Sequence, residues 1–270
     1  MKRIFFILIM FLFFVNANAQ DLSIGLQAKN DGNDAFRNKD YVSAITNWEK
    51  YLNSGEEGVE DDVNTQSMYV KSFSYAAKDF LSDKKYKQAF DYFQKYLEKD
   101  KVEAEKDPGF AYSMAYCAMK LDKNDLAISY FQKAIDFKYR ADYCTFYVAS
   151  IYKDINDEAK MKEVLINGLE KYPNSKVKPK LVALLTIPML QEAAIPFNEA
   201  NELAKVASSS DPNEYLTNMA NAVVKFEEAI PLFNKVLEYD PSNDQAKAYL
   251  KNSVDNIDAF NTYRSNLEKK

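Results

Sequence analysis

The feature that most constrains this chain is a recurring phase. An Ala or Met is followed four residues later by an aromatic or Leu, and three further on by a small or apolar residue. The pattern reads Ala44, Trp48, Tyr51, then Ala89, Phe93, Tyr96, then Ala127, Phe131, Ala134. It returns as Met161, Leu165, Gly168 and as Ala229, Phe233, Val236. Offsets of four and seven place the three residues on one face of a helix. Recurrence at about 34 residues is the mark of stacked helical repeats, in which each unit buries its apolar face on the next. The expected fold class is therefore all-α, an α-solenoid of stacked helix-turn-helix repeats.

The first residues stand apart. Lys2 and Arg3 precede an uncharged apolar run from Ile4 to Val15, and Ala17-Asn18-Ala19 is a small-x-small cleavage pattern before Gln20. That order is expected of a secretory signal peptide over 1–19. The run is 12 residues long, short of the roughly 20 that a membrane span requires. No Cys lies beside the cleavage pattern, so the expectation is an exported protein, periplasmic or secreted, without a lipid anchor or a transmembrane segment in the mature chain. Residues 20–270 are read as one domain.

Removing 1–19 takes away Lys2 and Arg3 and moves the formal charge from −5 to −7. An acidic balance with interspersed Lys and Glu describes solvated helix faces and argues against a nucleic-acid partner, which calls for a basic stripe. Six Gly and eight Pro are few for an all-β chain of this length. Cys117 and Cys144 are permitted a disulfide by an oxidising compartment. Their places in adjacent helices differ by about two turns, or roughly 10 Å, which argues against a bridge.

The repeats resemble the tetratricopeptide repeat. The first runs Lys29-Asn30-Asp31-Gly32-Asn33-Asp34-Ala35-Phe36, then Lys39-Asp40-Tyr41-Val42-Ser43-Ala44. Gly32 and Ala44 let paired helices approach, and Tyr41 and Trp48 fill the wedge. The second carries Ala77, Phe80, Tyr86, Ala89 and Phe93. The third carries Ala115, Ala118, Ala127, Phe131 and Ala134, and the fourth Ala149, Tyr152, Leu165, Gly168 and Pro173. A degenerate fifth repeat is expected over Lys178 to Ser210, with Pro188 in its inter-helix turn. A sixth is expected from Asp211-Pro212 to Pro241. The two are tied by Ala194-Ile195-Pro196 and Ala229-Ile230-Pro231, 35 residues apart. Six repeats would then end on a capping helix from Ser242, with Ala246, Leu250, Val254, Ile257, Phe260 and Tyr263 on its inner stripe. Spacings of 45 and 38 between the first three repeats place extra residues at Ser54 to Asp62 and Asp100 to Asp107, both acidic.

In that family the first helices line a concave groove. The resemblance puts Lys29, Asn33, Arg37, Lys71 and Lys78 on its basic side and Tyr112, Tyr116, Tyr143 and Phe146 on its aromatic side. It implies an extended peptide or protein partner with acidic groups toward the lysines. The carboxylate clamp known in the family is only half matched. Lys29 and Asn33 fit, whereas Tyr75, Gly109 and Ser113 stand where Asn and basic residues belong, so a clamp is not expected.

Catalysis is not expected either. The chain has no His, hence no Ser-His-Asp or Cys-His system and no His-ligated zinc. GxxxxGK[ST], GxGxxG and GxSxG are all missing. The acidic stretch 56–62 lacks the EF-hand spacing, and no metal or cofactor is expected. The sequence thus points to an exported, non-enzymatic scaffold, in the bacterial envelope, that holds a protein or peptide. The competing reading is a carbohydrate-binding accessory of an outer-membrane nutrient-uptake system, with Tyr112 and Tyr116 as its sugar platform. An exposed helical end at Gln20 or Lys270 would allow self-association.

Overall fold

The computed structural model describes residues 23–208 and 210–269; the signal-peptide expectation for 1–19 lies outside them. Twelve α-helices and no strand are found among the described residues. The chain divides into two compact units, one ending at Tyr139 and one beginning at Arg140.

The N-terminal unit contains three helix pairs. They are α1 (Ile24–Arg37) with α2 (Tyr41–Leu52), α3 (Val63–Ser82) with α4 (Tyr86–Lys99), and α6 (Pro108–Lys120) with α7 (Asn124–Asp136). A short α5 (Lys101–Lys106) lies between the second and third. Each pair closes on the residues that carry the phase. Ala44, Trp48, Ala77, Ala89, Phe93, Ala115, Ala118, Ala127 and Phe131 are all fully buried. Both acidic insertions are anchored by one apolar residue. Val59 packs with Ala28 and Tyr51, and Ala104 of α5 is buried.

One device repeats in every pair. Lys39, Lys84, Asp122 and Asn156 lie five residues ahead of Ala44, Ala89, Ala127 and Met161, and their φ angles are 61, 61, 55 and 59°. The next backbone N–H reaches back five residues. Asp40 donates to Ala35 O, Lys85 to Phe80 O, Lys123 to Ala118 O and Asp157 to Tyr152 O, at 2.8–2.9 Å. This left-handed stop satisfies the last carbonyls of the first helix and turns the chain into the second. A side chain in that conformation costs about 1–2 kcal/mol, which Gly avoids at some entropic loss in the unfolded chain. Lys84→Gly is therefore expected to stabilise the N-terminal unit by about 0.5–1 kcal/mol, read from urea unfolding midpoints. A lower midpoint would show that the turn is not strained.

The C-terminal unit begins with one more such pair, α8 (Ala141–Asp154) and α9 (Glu158–Lys171), and then changes character. Helix α10 (Lys178–Ala207) runs for 30 residues with Pro188 and Pro196 inside it. Helix α11 (Pro212–Tyr239) runs for 28 with Pro231 inside. The expected turn at Pro188 does not exist, and two expected repeats are one pair of long antiparallel helices. The physical reason is on the sequence. Leu181, Leu185, Met189, Ala193, Phe197 and Ala200 continue an apolar stripe through both prolines, and all are buried. An interior Pro costs about 3 kcal/mol. Each buried Leu, Met or Phe returns roughly 1.5–3 kcal/mol, so continuing the helix wins.

The long pair is held by Phe197, Phe226, Phe233 and Val236, with Tyr249 stacked on Phe197 at 4.5 Å. Helix α10 has the length and apolar composition to cross a membrane, with 33% of its most apolar stretch buried. Its stripe against α11 accounts for the buried third, while Ile187 and Ile195 are exposed. Helix α12 (Asp244–Glu268) ends the fold, capped by Asn243 Oδ1, which accepts from Ala246 N–H at 3.0 Å. Its buried residues are Ala246, Ser253 and Phe260. Val254 and Tyr263, expected inside, are 40% and 39% exposed, because Ser253 takes the inward position and hydrogen-bonds Tyr249 O at 2.9 Å.

Candidate binding face

The residues expected on the groove's basic side fall into two groups. Those on α1 have partners inside the fold. Lys29 Nζ lies 2.7 Å from Asp62 Oδ2 and 5.2 Å from the Tyr51 ring centre. Its hydrogen bond to Asp62 raises the Lys29 pKa, against the effect of burial. Tyr51 O–H donates to the same Asp62 oxygen at 3.1 Å, and Thr65 N–H donates to Oδ1 at 3.1 Å. Asn33 Oδ1 accepts from Trp48 Nε1–H at 3.1 Å. Arg37 is exposed and pairs with Asp34. Lys29 and Asn33 thus hold the first helix pair to its insertion loop and to its wedge.

On α3 the basic residues face the second acidic insertion. Lys71 lines a shallow groove of about 240 Å³ with Tyr96, Asp100 and Glu103. Lys78 Nζ is 3.9 Å from Asp107 Oδ2 and 6.0 Å from the Tyr75 ring. The chain's own carboxylates therefore already face these two ammonium groups. Tyr75 shares their stripe, four residues after Lys71 and three before Lys78. It packs on Tyr41 at 5.1 Å and Phe36 at 6.1 Å while staying 38% exposed. Sequence reasoning did not place Tyr75 in the site, although its helical offset from both lysines was available as a signal.

The aromatic side is concentrated on α6. Tyr112 and Tyr116, one turn apart, stack at 6.4 Å with 18° between rings. Tyr86 meets Tyr116 at 6.2 Å, Tyr139 meets Tyr112 at 6.0 Å, and Lys120 Nζ lies 5.5 Å over the Tyr116 ring. Behind them Phe131 is fully buried against Tyr112. The result is a patch of packed, partly exposed tyrosine rings bordered by an ammonium group. It can hold apolar and aromatic groups flat and accept or donate hydrogen bonds at its rim. Its rings come from α4, α6 and the chain after α7, so it is a property of the folded unit rather than of one helix.

Tyr143 and Phe146 belong to α8, in the C-terminal unit. Arg140 stacks 5.1 Å over Tyr143, and Lys180 Nζ lies 5.7 Å over Phe146. Both rings pack against that unit's core. The two cysteines are buried and form no disulfide, and burial pushes both thiols up to about 12. They remain protonated at neutral pH and behave as small apolar side chains.

Residues 109–139, which contain α6 and α7, match the family model of the tetratricopeptide repeat. No curated protein matches the chain. Among solved structures the chain is similar to MamA, at TM-score 0.42 and 14% identity over 82% of this chain and 94% of that one. It is also similar to a TPR repeats protein from Bacteroides fragilis, at 0.39 and 17% over 85% and 97%. A third is a tetratricopeptide repeat protein from Parabacteroides merdae, at 0.35 and 14% over 86% and 100%. The matched repeat carries the tyrosine patch, and the same helix pair, left-handed stop and buried small residues recur from α1 to α9.

Proposed function

We propose that this chain is an exported, non-enzymatic scaffold of the cell envelope that holds an extended segment of a protein partner on the N-terminal unit. The observation that carries the reading is the stacked Tyr112–Tyr116 pair with Tyr86, Tyr139 and Lys120 around it. Rigid aromatics bordered by a cation are the side chains that dominate recognition surfaces, because they bury much area at little entropic cost. Lys71 and Lys78 continue the face. A partner carboxylate there would have to displace the attraction of Asp100, Glu103 and Asp107, so the aromatic part anchors and the basic part adjusts. The signal-peptide pattern over 1–19 supports export, and the absence of His together with two protonated thiols supports the lack of catalysis.

The test is affinity capture from the envelope fraction of the source cells, comparing the wild-type protein with Tyr112→Ala/Tyr116→Ala and with Lys71→Glu. Removing a central aromatic anchor costs about 2 kcal/mol or more, roughly 30-fold in affinity. The double variant is expected to lose the partner, and Lys71→Glu to weaken it a few-fold. Circular dichroism should match the wild type for both. Equal recovery of the same partner on all three would remove the tyrosine face from the function.

A further inference from the structure

Helix α10 is apolar on two sides, and the fold covers one of them. The inner stripe from Leu181 to Ala200 packs on α11. Glu192 and Glu199 are turned toward neighbouring helices, at 3.8 Å from Lys162 of α9 and 3.2 Å from Lys225 of α11. An outer strip begins at Lys180 and ends at Glu202. Between them, from Ala183 through Ile187, Gln191 and Ile195 to Asn198, the residues at helical offset along this face are all uncharged. The strip is roughly 30 Å long. Ile187 and Ile195, about two turns apart on it, are 57% and 60% exposed. One exposed apolar side chain needs no explanation, but a helix that is apolar all round calls for cover on both sides.

The charge beside the strip has one sign. Lys171, Lys176, Lys178 and Lys180 are exposed, and no carboxylate side chain occurs from Lys171 to Gln191. This is the local exception in a chain whose formal charge is −5. Next to Ile187 the strip dips into a cleft of about 400 Å³. Leu184 and Pro188 line it, together with Met161, which is 2% exposed. Lys153 also borders the cleft, and so does Glu158, which is drawn to Lys162 at 3.7 Å.

These features select an occupant. It must be apolar along roughly 30 Å, anionic beyond one end, and deformable enough to fill a cleft beside two projecting isoleucines. A surface of anionic lipid meets all three requirements. Its acyl region takes the isoleucines, its headgroups take the lysines, and the end of one acyl chain fills the cleft. We propose that the C-terminal unit docks on an anionic membrane surface through the outer strip of α10. The helix lies in the plane of that surface and does not cross it, because its inner stripe stays on α11. The docking adds a second surface to the scaffold reading and uses no residue of the tyrosine face.

The test is co-sedimentation of the protein with vesicles of phosphatidylcholine containing about one-third phosphatidylglycerol, compared with phosphatidylcholine alone. Residues 1–19 are the same in every protein compared, so differences between variants report the strip. Binding to the anionic vesicles is expected to be at least about tenfold tighter than to the neutral ones and to fall with added salt. Lys176→Gln/Lys178→Gln/Lys180→Gln should weaken it roughly tenfold or more. The same loss of charge elsewhere in the unit, by Lys247→Gln/Lys251→Gln/Lys269→Gln, should change it by less than about twofold. Ile187→Gln/Ile195→Gln, which alters only exposed side chains, should weaken it roughly tenfold and keep the salt dependence. Ile195→Trp adds a reporter to the strip while Trp48, fully buried, keeps its environment. The emission of that variant should move to shorter wavelength on the anionic vesicles. Equal binding to both vesicles, equal weakening by both lysine triples, or no wavelength shift would each overturn the proposal. A shift that grows with protein concentration in the absence of vesicles would also overturn it and assign the strip to a second copy of the chain. Partner capture at the tyrosine face is measured without vesicles, so failure of either reading leaves the other standing.

Discussion

Trp48→Ala is expected to unfold the first helix pair while leaving the third intact. Trp48 has no solvent exposure, and its ring fills the space that Gly32 leaves open. A Cβ on Gly32 would stand 2.5 Å from Trp48 Cδ1. Phe36 packs on the indole at 5.4 Å, and Asn33 takes its N–H. Truncating a buried Trp to Ala costs about 3–5 kcal/mol, through lost transfer energy and the cavity left behind. The carbonyl of Asn33 also loses its donor. In a stacked repeat each pair rests mainly on its neighbours, so damage to a terminal pair stays local. Among the described residues, α3 is the neighbouring helix that α1 and α2 lean on. Amide exchange should therefore lose protection across Ile24–Leu52 and keep it across α6 and α7. Since Trp48 is the single Trp, its fluorescence in the wild type reports this pair alone. A urea transition by fluorescence should precede the one seen by far-ultraviolet circular dichroism. Coincident transitions, or exchange lost uniformly, would show the N-terminal unit to be one cooperative block.

What the sequence revealed of this fold is what helical periodicity controls. Ala44, Trp48, Ala89, Phe93, Ala127, Phe131, Met161 and Leu165 announce their helices and their burial together, because offsets of four and seven are local geometry. Helix ends were harder to read. The left-handed stops at Lys39, Lys84, Asp122 and Asn156 lack the Gly that signals such a turn, and so they pass as ordinary polar residues. Pro188 carried the opposite error. A proline is a strong local breaker, but the stripe from Leu181 to Ala200 binds α10 to α11 along its whole length, and tertiary burial overrides the local preference.

The side-chain neighbours on the candidate face were legible only in its aromatic half, for a related reason. Offsets along a helix place Tyr112 and Tyr116 side by side whatever the rest of the chain does. Lys29 and Asn33 were placed on a face by the same rule, yet which partner a polar side chain meets is settled by segments distant in sequence. Asp62 arrives from the 54–62 insertion and Trp48 from the second helix, and both claim side chains that the repeat pattern assigns to the groove.

Asp62→Asn is the sharpest test of that claim about Lys29, because it keeps the shape and the helix cap but removes one charge. The Asp62 carboxylate is 14% exposed. Burial works to raise its pKa, but hydrogen bonds from Lys29, Thr65 and Tyr51 outweigh it and hold the group at about 2. An unfolded Asp titrates near 3.9, so the difference corresponds to roughly 2–3 kcal/mol. The folded value lies below the unfolded one. The contribution is therefore complete above about pH 4 and is lost as pH falls toward 2. Lys29 is shifted the other way, upward from 10.5, so its share persists until pH rises past the ordinary ammonium range. Between about pH 4 and pH 10 the pair is whole, and there Asp62→Asn should lower the stability of the first helix pair by about 2 kcal/mol. Part of that loss comes from Lys29, which is left half-buried without its counter-charge. Near pH 2.5 the unfolded Asp62 is almost fully protonated and the folded one only about a quarter, so the gap between the two proteins should shrink to well under half. Trp48 fluorescence during urea unfolding at pH 7 and pH 2.5 measures both differences. A gap that is unchanged between the two pH values would mean that the loss comes from packing or capping. No gap at pH 7 would mean that Lys29 is held too weakly to be withheld from the groove, and would return it to the binding face.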